Sequence, residues 1–201
     1  MKPIGEVLSS SITGLTAEAW HQDDKDGLPE SIRPHFGSFL RVDCADERLQ
    51  IYAVVYNVIT GPQDSLHKPT ALKLSREQLK VEQPHIFALL KTEIHAVTVG
   101  YSQDSEFYDR LPPQPAQVHD FIYAAEKEEL KRITENLDFV RLISGVSSVP
   151  SDELIAAAIR EAASARNQDY QFLKRAGQSL SHVFRDDYDR LVTVLRKIKP
   201  E

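Results

Sequence analysis

The sequence predicts an α+β fold, with a small N-terminal β-barrel followed by a C-terminal helical bundle. In residues 1–124, short runs of β-branched and aromatic residues are separated by glycine, proline and acidic residues, which is typical of strands joined by turns. From residue 125 onward, Ala, Leu, Glu, Lys and Arg dominate and only two glycines and two prolines occur, as in helices. We therefore predict a barrel domain over 1–124, with a short helical insert, and a helical domain over 125–201.

The strands of the first part are predicted from alternating and continuous apolar runs. Strand character is found in residues 4–20 (two short strands with a tight bend between them), 37–44, 49–59 and 93–101, and a last apolar run covers 118–124. The run at 49–59 is apolar on both faces, which predicts a strand buried on both sides. Residues 21–35 contain many turn formers and predict a surface loop.

Two short helices are predicted within the barrel part. Ser75 is followed three residues later by Gln78, which has the form of a capping box at a helix N-terminus. A second helix is expected to begin at Pro84, because proline is favoured at the first helical position. These segments form the predicted helical insert.

The second part is predicted to be a succession of helices with apolar stripes. We expect helices near residues 126–135, 137–144, 151–165, 168–184 and 186–198. The last three each carry an apolar stripe at helical spacing, and these stripes are expected to pack on one another.

The net charge of −6 is unevenly distributed. Residues 1–124 contain 11 Lys and Arg against 17 Asp and Glu, whereas residues 125–201 contain 13 of each. Phosphate backbones must be neutralised by Lys and Arg, so the acidic first part argues against nucleic-acid binding by the barrel.

Basic residues are concentrated near the C-terminus. They include Lys174, Arg175, Arg185, Arg190, Arg196 and Lys197. A solvated helix face is the favoured interpretation of this pattern. A nucleic-acid site made of these six residues is the alternative.

The motifs of common catalytic and cofactor sites are missing. No glycine-rich phosphate loop, nucleophile elbow or zinc-type His and Cys spacing occurs in the sequence. Asp24, Asp26 and Gly27 fit positions of a calcium loop, but Gln22 and Arg33 stand where ligands are required, which favours a solvated acidic loop. We expect no catalytic residue, no cofactor and no metal, and hence no enzyme.

The N-terminal residues and the single cysteine bear on the compartment. A glycine and a carboxylate at positions 5 and 6 interrupt what would be the apolar core of a signal peptide, and no run approaches the about 20 apolar residues of a membrane span. Cys44 has no second cysteine to pair with, so it is expected to behave as a small apolar side chain. A cytoplasmic location without a membrane span is predicted.

Three segments of the first part resemble the HAS-barrel family. They are residues 4–13 (IGEVLSSSIT), 37–42 (GSFLRV) and 51–58 (IYAVVYNV). The HAS-barrel is the small N-terminal barrel of HerA-type DNA-translocating ATPases and of rotary ATP synthase subunits. With residues 82–87 (EQPHIF) and 111–115 (LPPQP), the whole chain is also similar to stand-alone HAS-barrel proteins of cyanobacteria. Ala53 departs from the family pattern, which often has glycine at this position.

The resemblance implies a fold and a role in association. In the family, the barrel builds a ring or contacts partners, while a separate phosphate-loop domain hydrolyses ATP. Since this sequence lacks that second domain, the first hypothesis is a non-enzymatic protein-interaction or assembly module, with a protein partner or a homo-oligomer. The alternative is an accessory factor in DNA processing, linked to a HerA-type or other ring ATPase. An enzyme with a site assembled from unrelated positions is a third possibility.

Overall fold

The computed structural model describes residues 2–23, 29–63 and 70–198. The strands of this part are β1 (Gly5–Ser11), β2 (Gly14–Ala19), β3 (His21–Asp23), β4 (Pro29–Ser31), β5 (Phe39–Asp43), β6 (Leu49–Pro62), β7 (Leu90–Gln103), β8 (Glu106–Tyr108) and β9 (Phe121–Ala124). The helices are α1 (Arg76–Glu82), α2 (His85–Ala88), α3 (Lys127–Ile133), α4 (Phe139–Ser144), α5 (Ser151–Ser164), α6 (Tyr170–Val183) and α7 (Tyr188–Lys197). None of these helices combines the length and the apolar character needed to cross a bilayer.

Six strands form a closed antiparallel barrel. Their order is β1, β2, β7, β6, β5 and β9, and β9 pairs back onto β1 through Gly5 with Ile122 and Glu6 with Phe121. Strand β8 extends the sheet at the end of β7, and β3 pairs with β4 in a separate two-stranded sheet. The predicted barrel is thereby confirmed, and so are the two short strands and the bend within residues 4–20.

The interior of the barrel is filled by small and branched side chains. On β6, Ile51, Ala53 and Val55 point inward, while Tyr52 and Val54 point outward. All five are fully or almost fully buried, which confirms the prediction of a strand covered on both faces. The outer layer on this side is supplied by the helices.

The helices pack against one part of the outer barrel wall. One hydrophobic cluster joins outward residues of the barrel to the buried faces of α3 to α7, including Phe39, Val54, Val97, Phe139, Ile143, Ile155, Phe172, Leu180 and Val194. Phe39 on β5 meets Phe139 on α4 edge to face, with ring centroids 5.6 Å apart. The barrel wall and the helices therefore share a core that is distinct from the core inside the barrel.

Polar contacts fix α3 on the barrel. Arg41 on β5 donates to Glu129 of α3 at 2.9 Å, and Arg132 of α3 donates to the buried hydroxyl of Tyr52 at 2.8 Å. Both contacts lie beside the shared core, where a polar side chain that loses its hydrogen-bond partner lowers the free energy of unfolding. They set the position of the first helix after the barrel.

The predicted helices are confirmed, with ends that differ by a few residues. The capping box of Ser75 and Gln78 is present in both directions, and α2 follows directly after Pro84. Strand β9 ends at Ala124 and α3 begins at Lys127. The predicted loop at 21–35 differs from the structure, because β3 and β4 pair within it; residues 24–28 of the proposed calcium loop lie outside the described residues.

Candidate functional site

A groove lies between the barrel wall and the connection from α4 to α5. Its volume is about 620 Å³, within the range of small-ligand pockets. Hydroxyl side chains line much of it: Ser9, Ser10, Ser11, Thr13, Thr16, Ser147 and Ser148. Its other walls come from Tyr56 and from apolar residues such as Leu15, Val97, Leu142 and Val146.

The groove is neutral and part of its hydrogen-bonding capacity is already used. Ser10 donates to the carbonyl of Ala116, and Thr16 lies 3.3 Å from Nδ1 of His95. Ser9, Ser147 and Ser148 have no side-chain hydrogen bond to the described residues, and none of the lining residues is charged. Hydroxyl groups both donate and accept hydrogen bonds, so the groove can bind polar groups by hydrogen bonds but has no charged side chain to pair with an ion.

His95 lies beside the groove, in contact with the lining residue Thr16. Its Nε2 atom is shielded from solvent, has no hydrogen-bond partner among the described residues and lies 3.8 Å from a carboxylate oxygen of Glu93. The Tyr56 ring centroid is 6.1 Å away. The contact with Thr16 holds His95 against the neighbouring strand. We assign His95 a structural role.

A second surface feature is an aromatic pair on the barrel wall. Trp20 follows β2 and Phe121 begins β9, and their rings meet edge to face with centroids 5.4 Å apart. Trp20 is 37% exposed and Phe121 is 44% exposed. The pair lies outside the shared core of helices and barrel wall. We call Trp20 and Phe121 the aromatic pair.

The six basic residues predicted as the alternative nucleic-acid site fall into two groups. Three have carboxylate partners: Arg190 pairs with Asp152 at 2.5 Å, Lys197 pairs with Glu153, and Arg185 pairs with Asp186 at 3.1 Å. The first two pairs join α7 to α5, so Arg190 and Lys197 stabilise helix packing. Arg190 also lies 4.8 Å from the Phe184 ring centroid.

The other three basic residues are open to solvent. Lys174 and Arg175 lie on α6 and Arg196 lies on α7, and all three are exposed. None of them forms an ion pair with another described residue. The structure therefore divides the predicted cluster: Arg190 and Lys197 join α7 to α5, whereas Lys174, Arg175, Arg185 and Arg196 are exposed.

Cys44 lies at the end of β5 and packs against the core inside the barrel. Burial, followed by the negative charges of Asp120, Asp43 and Asp46, raises the pKa of Cys44 to about 12. A raised pKa lowers the fraction of thiolate at neutral pH, and the thiolate is the reactive form. This agrees with the expectation of an apolar structural role.

We expect Cys44 to react slowly in the folded protein. At pH 8 its reaction with a disulfide reagent such as Ellman's reagent should be at least about 100-fold slower than in urea-unfolded protein, because its pKa lies far above that pH. The rate should rise as the pH is raised toward the pKa. Stopped-flow absorbance measures both rates, and similar rates in the two states would contradict the expected shielding.

The described residues hold no group of three or more His, Cys, Asp or Glu side chains arranged to bind a metal. The features that they do present are a neutral groove, an aromatic pair and a small set of exposed cations.

The sequence matches no protein-family model. No curated protein matches it closely enough to count as a relative.

Proposed function

We propose that this chain is a non-enzymatic, cytoplasmic protein-interaction or assembly module, built on a HAS-type barrel without an ATPase domain. In this proposal the C-terminal helices form a bundle that stiffens one side of the barrel and leaves the opposite wall available to a partner. The observation that carries the proposal is the aromatic pair.

The aromatic pair has the properties of an interface anchor. Tryptophan and other aromatic residues are enriched at the centres of protein interfaces, where a few such side chains supply most of the binding energy. Trp20 and Phe121 meet edge to face on the sheet and restrict each other's movement, so little conformational entropy is lost when a partner covers them. Exposed aromatic surface outside the core that the barrel wall shares with the helices favours binding over a purely structural use.

The test is affinity capture with a matched pair of variants. Tagged wild type and the double variant Trp20→Ser with Phe121→Ser are used to capture proteins from a lysate of the source organism, followed by quantitative mass spectrometry. We expect at least one protein, or untagged copies of this chain, to be reduced about tenfold or more with the double variant, as is usual when anchors are removed.

Controls separate a lost interface from a lost fold. Val81 on α1 is 83% exposed, so Val81→Ser changes exposed apolar surface elsewhere and should leave capture unchanged. Circular dichroism and a urea titration establish that the double variant is folded. If wild type and the double variant capture the same proteins in equal amounts, the aromatic pair is not the interface.

The alternative, an accessory factor in DNA processing, is supported by the exposed cations Lys174, Arg175 and Arg196. A nuclease treatment of the same lysate distinguishes this alternative from direct protein interaction. Partners that disappear after nuclease treatment and with rising salt are held through nucleic acid, because phosphate contacts are salt-dependent. Partners that persist after the treatment support direct protein interaction.

A further inference from the structure

A row of carboxylates crosses the barrel wall on both sides of Phe121. Glu18 is directly opposite Glu6 in the pairing of β1 with β2 and opposite Glu93 in the pairing of β2 with β7. Phe121 is directly opposite Glu6 on one side and Asp43 on the other. Directly opposite residues of an antiparallel sheet project from the same face, with Cβ atoms about 5 Å apart. We call Glu93, Glu18, Glu6 and Asp43 the acidic row.

The acidic row is only partly neutralised within the chain. Asp43 pairs with Arg41 at 2.8 Å and Glu93 with Lys91 at 2.7 Å. Glu6 faces His119 at 3.6 Å, a contact that is ionic only when the histidine is protonated.

Glu18, at the middle of the three neighbouring glutamates, forms no ion pair within 4 Å with the described residues, and the more distant charge of Lys91, already paired with Glu93, acts on it. Like charges directly opposite each other destabilise a sheet. Here two such pairs are adjacent, and Phe121 of the aromatic pair lies directly opposite Glu6. An arrangement of side chains that lowers the stability of the fold is expected at a surface that serves binding. Negative charge beside aromatic rings suits a partner that carries positive charge.

The exposed face of α6 has the complementary character. The opposite face of this helix buries Phe172, Ala176 and Leu180 in the shared core. The exposed face consists of Tyr170, Gln171, Lys174, Arg175, Gln178, Ser181 and His182, which follow one another at helical spacing. The helix contains no acidic residue, and Tyr170 is 75% exposed. We call Tyr170, Lys174 and Arg175 the basic face.

The geometry points to a second copy of this chain as the partner of the acidic row. We propose that the basic face of one copy docks on the acidic row and aromatic pair of the next, an inference that depends on the proposed function and names the partner. Both complementary surfaces lie on the same chain: the acidic row is half-exposed on the barrel wall, with the exposed Phe121 between two of its members, and the basic face is exposed on α6. Opposite charge on the two surfaces steers the encounter and disfavours contact between two like surfaces.

The contact joins two different surfaces, so it is heterologous. In a pair, one copy keeps its acidic row free and the other copy keeps its basic face free, so the next copy adds in the same direction. Such a contact generates a closed ring when the rotation between copies closes, and an open chain when it does not. The association is therefore expected to extend beyond a dimer.

The test uses two neutralising variants, each of which removes one side of the contact. The first is Glu6→Gln with Glu18→Gln, and the second is Lys174→Gln with Arg175→Gln. Sedimentation velocity of wild type at about 50 mM and about 300 mM NaCl should show assemblies larger than a dimer that dissociate at the higher salt concentration. Each variant alone should associate at least about tenfold more weakly at low salt.

Mixing the two variants tests the heterologous geometry. Together they retain one intact acidic row and one intact basic face, so an equimolar mixture should form one-to-one heterodimers and nothing larger. The control variant carries Glu128→Gln and Arg185→Gln, at side chains that are 81% and 79% exposed and lie outside both surfaces, and it should assemble like wild type.

Three outcomes would overturn the proposal. They are a wild type that stays monomeric at about 100 µM and low salt, variants that assemble like wild type, and a mixture that forms no heterodimer. If wild type is monomeric while capture of another protein still depends on Trp20 and Phe121, only the second copy is excluded and the proposed function stands. If both the assembly and that capture are absent, both proposals fail.

Discussion

Replacing Gly37 with alanine is expected to lower the free energy of unfolding by roughly 2–4 kcal/mol. Gly37 has φ +84°, a backbone conformation that side chains with a Cβ atom rarely adopt. A Cβ atom there would lie 2.5 Å from the Cβ atom of Ala157 and 2.9 Å from the backbone nitrogen of Ala158. Both contacts are with α5, so the new methyl group would push the helix away from the barrel.

The position of Gly37 leaves little room for relaxation. Its N–H donates to the carbonyl of Val55 on β6 at 2.8 Å, which fixes the backbone on the barrel side. On the other side, Ala157 and Ala158 belong to the buried face of α5. Strain from the positive φ and overpacking against the helix therefore add together.

A second glycine provides the control for Gly37→Ala. Gly177 is inside α6, and a Cβ atom there would lie 3.5 Å from a methyl carbon of Leu195, an ordinary van der Waals distance. Gly177→Ala should raise stability by up to about 1 kcal/mol, because alanine is the better helix former. Urea titrations measure both changes. A Gly37→Ala loss below about 1 kcal/mol would show that the barrel and α5 separate easily.

Replacing Arg166 with alanine is expected to cost about 2–4 kcal/mol, since charged hydrogen bonds and a cation–π contact are lost together. Its guanidinium donates to the carbonyl of Lys131 at 2.6 Å, the hydroxyl of Thr134 at 2.8 Å and the carbonyl of Ala162 at 3.0 Å. It also lies 4.3 Å from the ring centroid of Phe172. Arg166 thus joins the C-terminal ends of α3 and α5 to the start of α6.

The conservative variant and a surface control sharpen this second prediction. Arg166→Lys retains the charge but not the planar set of donors, so it should recover only part of the loss. Arg185→Ala removes an arginine that is 79% exposed and paired with an equally exposed carboxylate, and it should change stability by less than about 0.5 kcal/mol. Equal effects of Arg166→Ala and Arg185→Ala in urea titrations would contradict the joining role.

Local patterns predicted most of the elements. Strand β6 is buried on both faces, as expected of a run in which both odd-numbered and even-numbered residues are apolar. Helix α1 begins where Ser75 and Gln78, three residues apart, predicted a capping box. The same approach failed for residues 21–35, because turn formers around a short hairpin resemble those of an irregular loop. Strand pairs of three residues provide too little alternation to be recognised.

The binding surfaces could not be predicted, because they depend on contacts between distant parts of the chain. Trp20 and Phe121 come together only when β9 pairs with β1, and that pairing has no local signal. The glutamates of the acidic row are ordinary surface residues in the sequence and become neighbours through strand register. The basic residues were grouped by their proximity in sequence, whereas the packing of α7 on α5 divides them.

The position of β9 in the barrel has a consequence for synthesis on the ribosome. Strands β1 and β5 are both paired with β9, the last strand to be made, so the barrel wall stays open until residue 124 has left the exit tunnel. Unpaired strand edges promote association between nascent chains. The helical segment is made after this strand, so the outer wall is covered only after translation of the barrel is complete. Chaperone binding to ribosome-bound chains should therefore be strongest before β9 emerges.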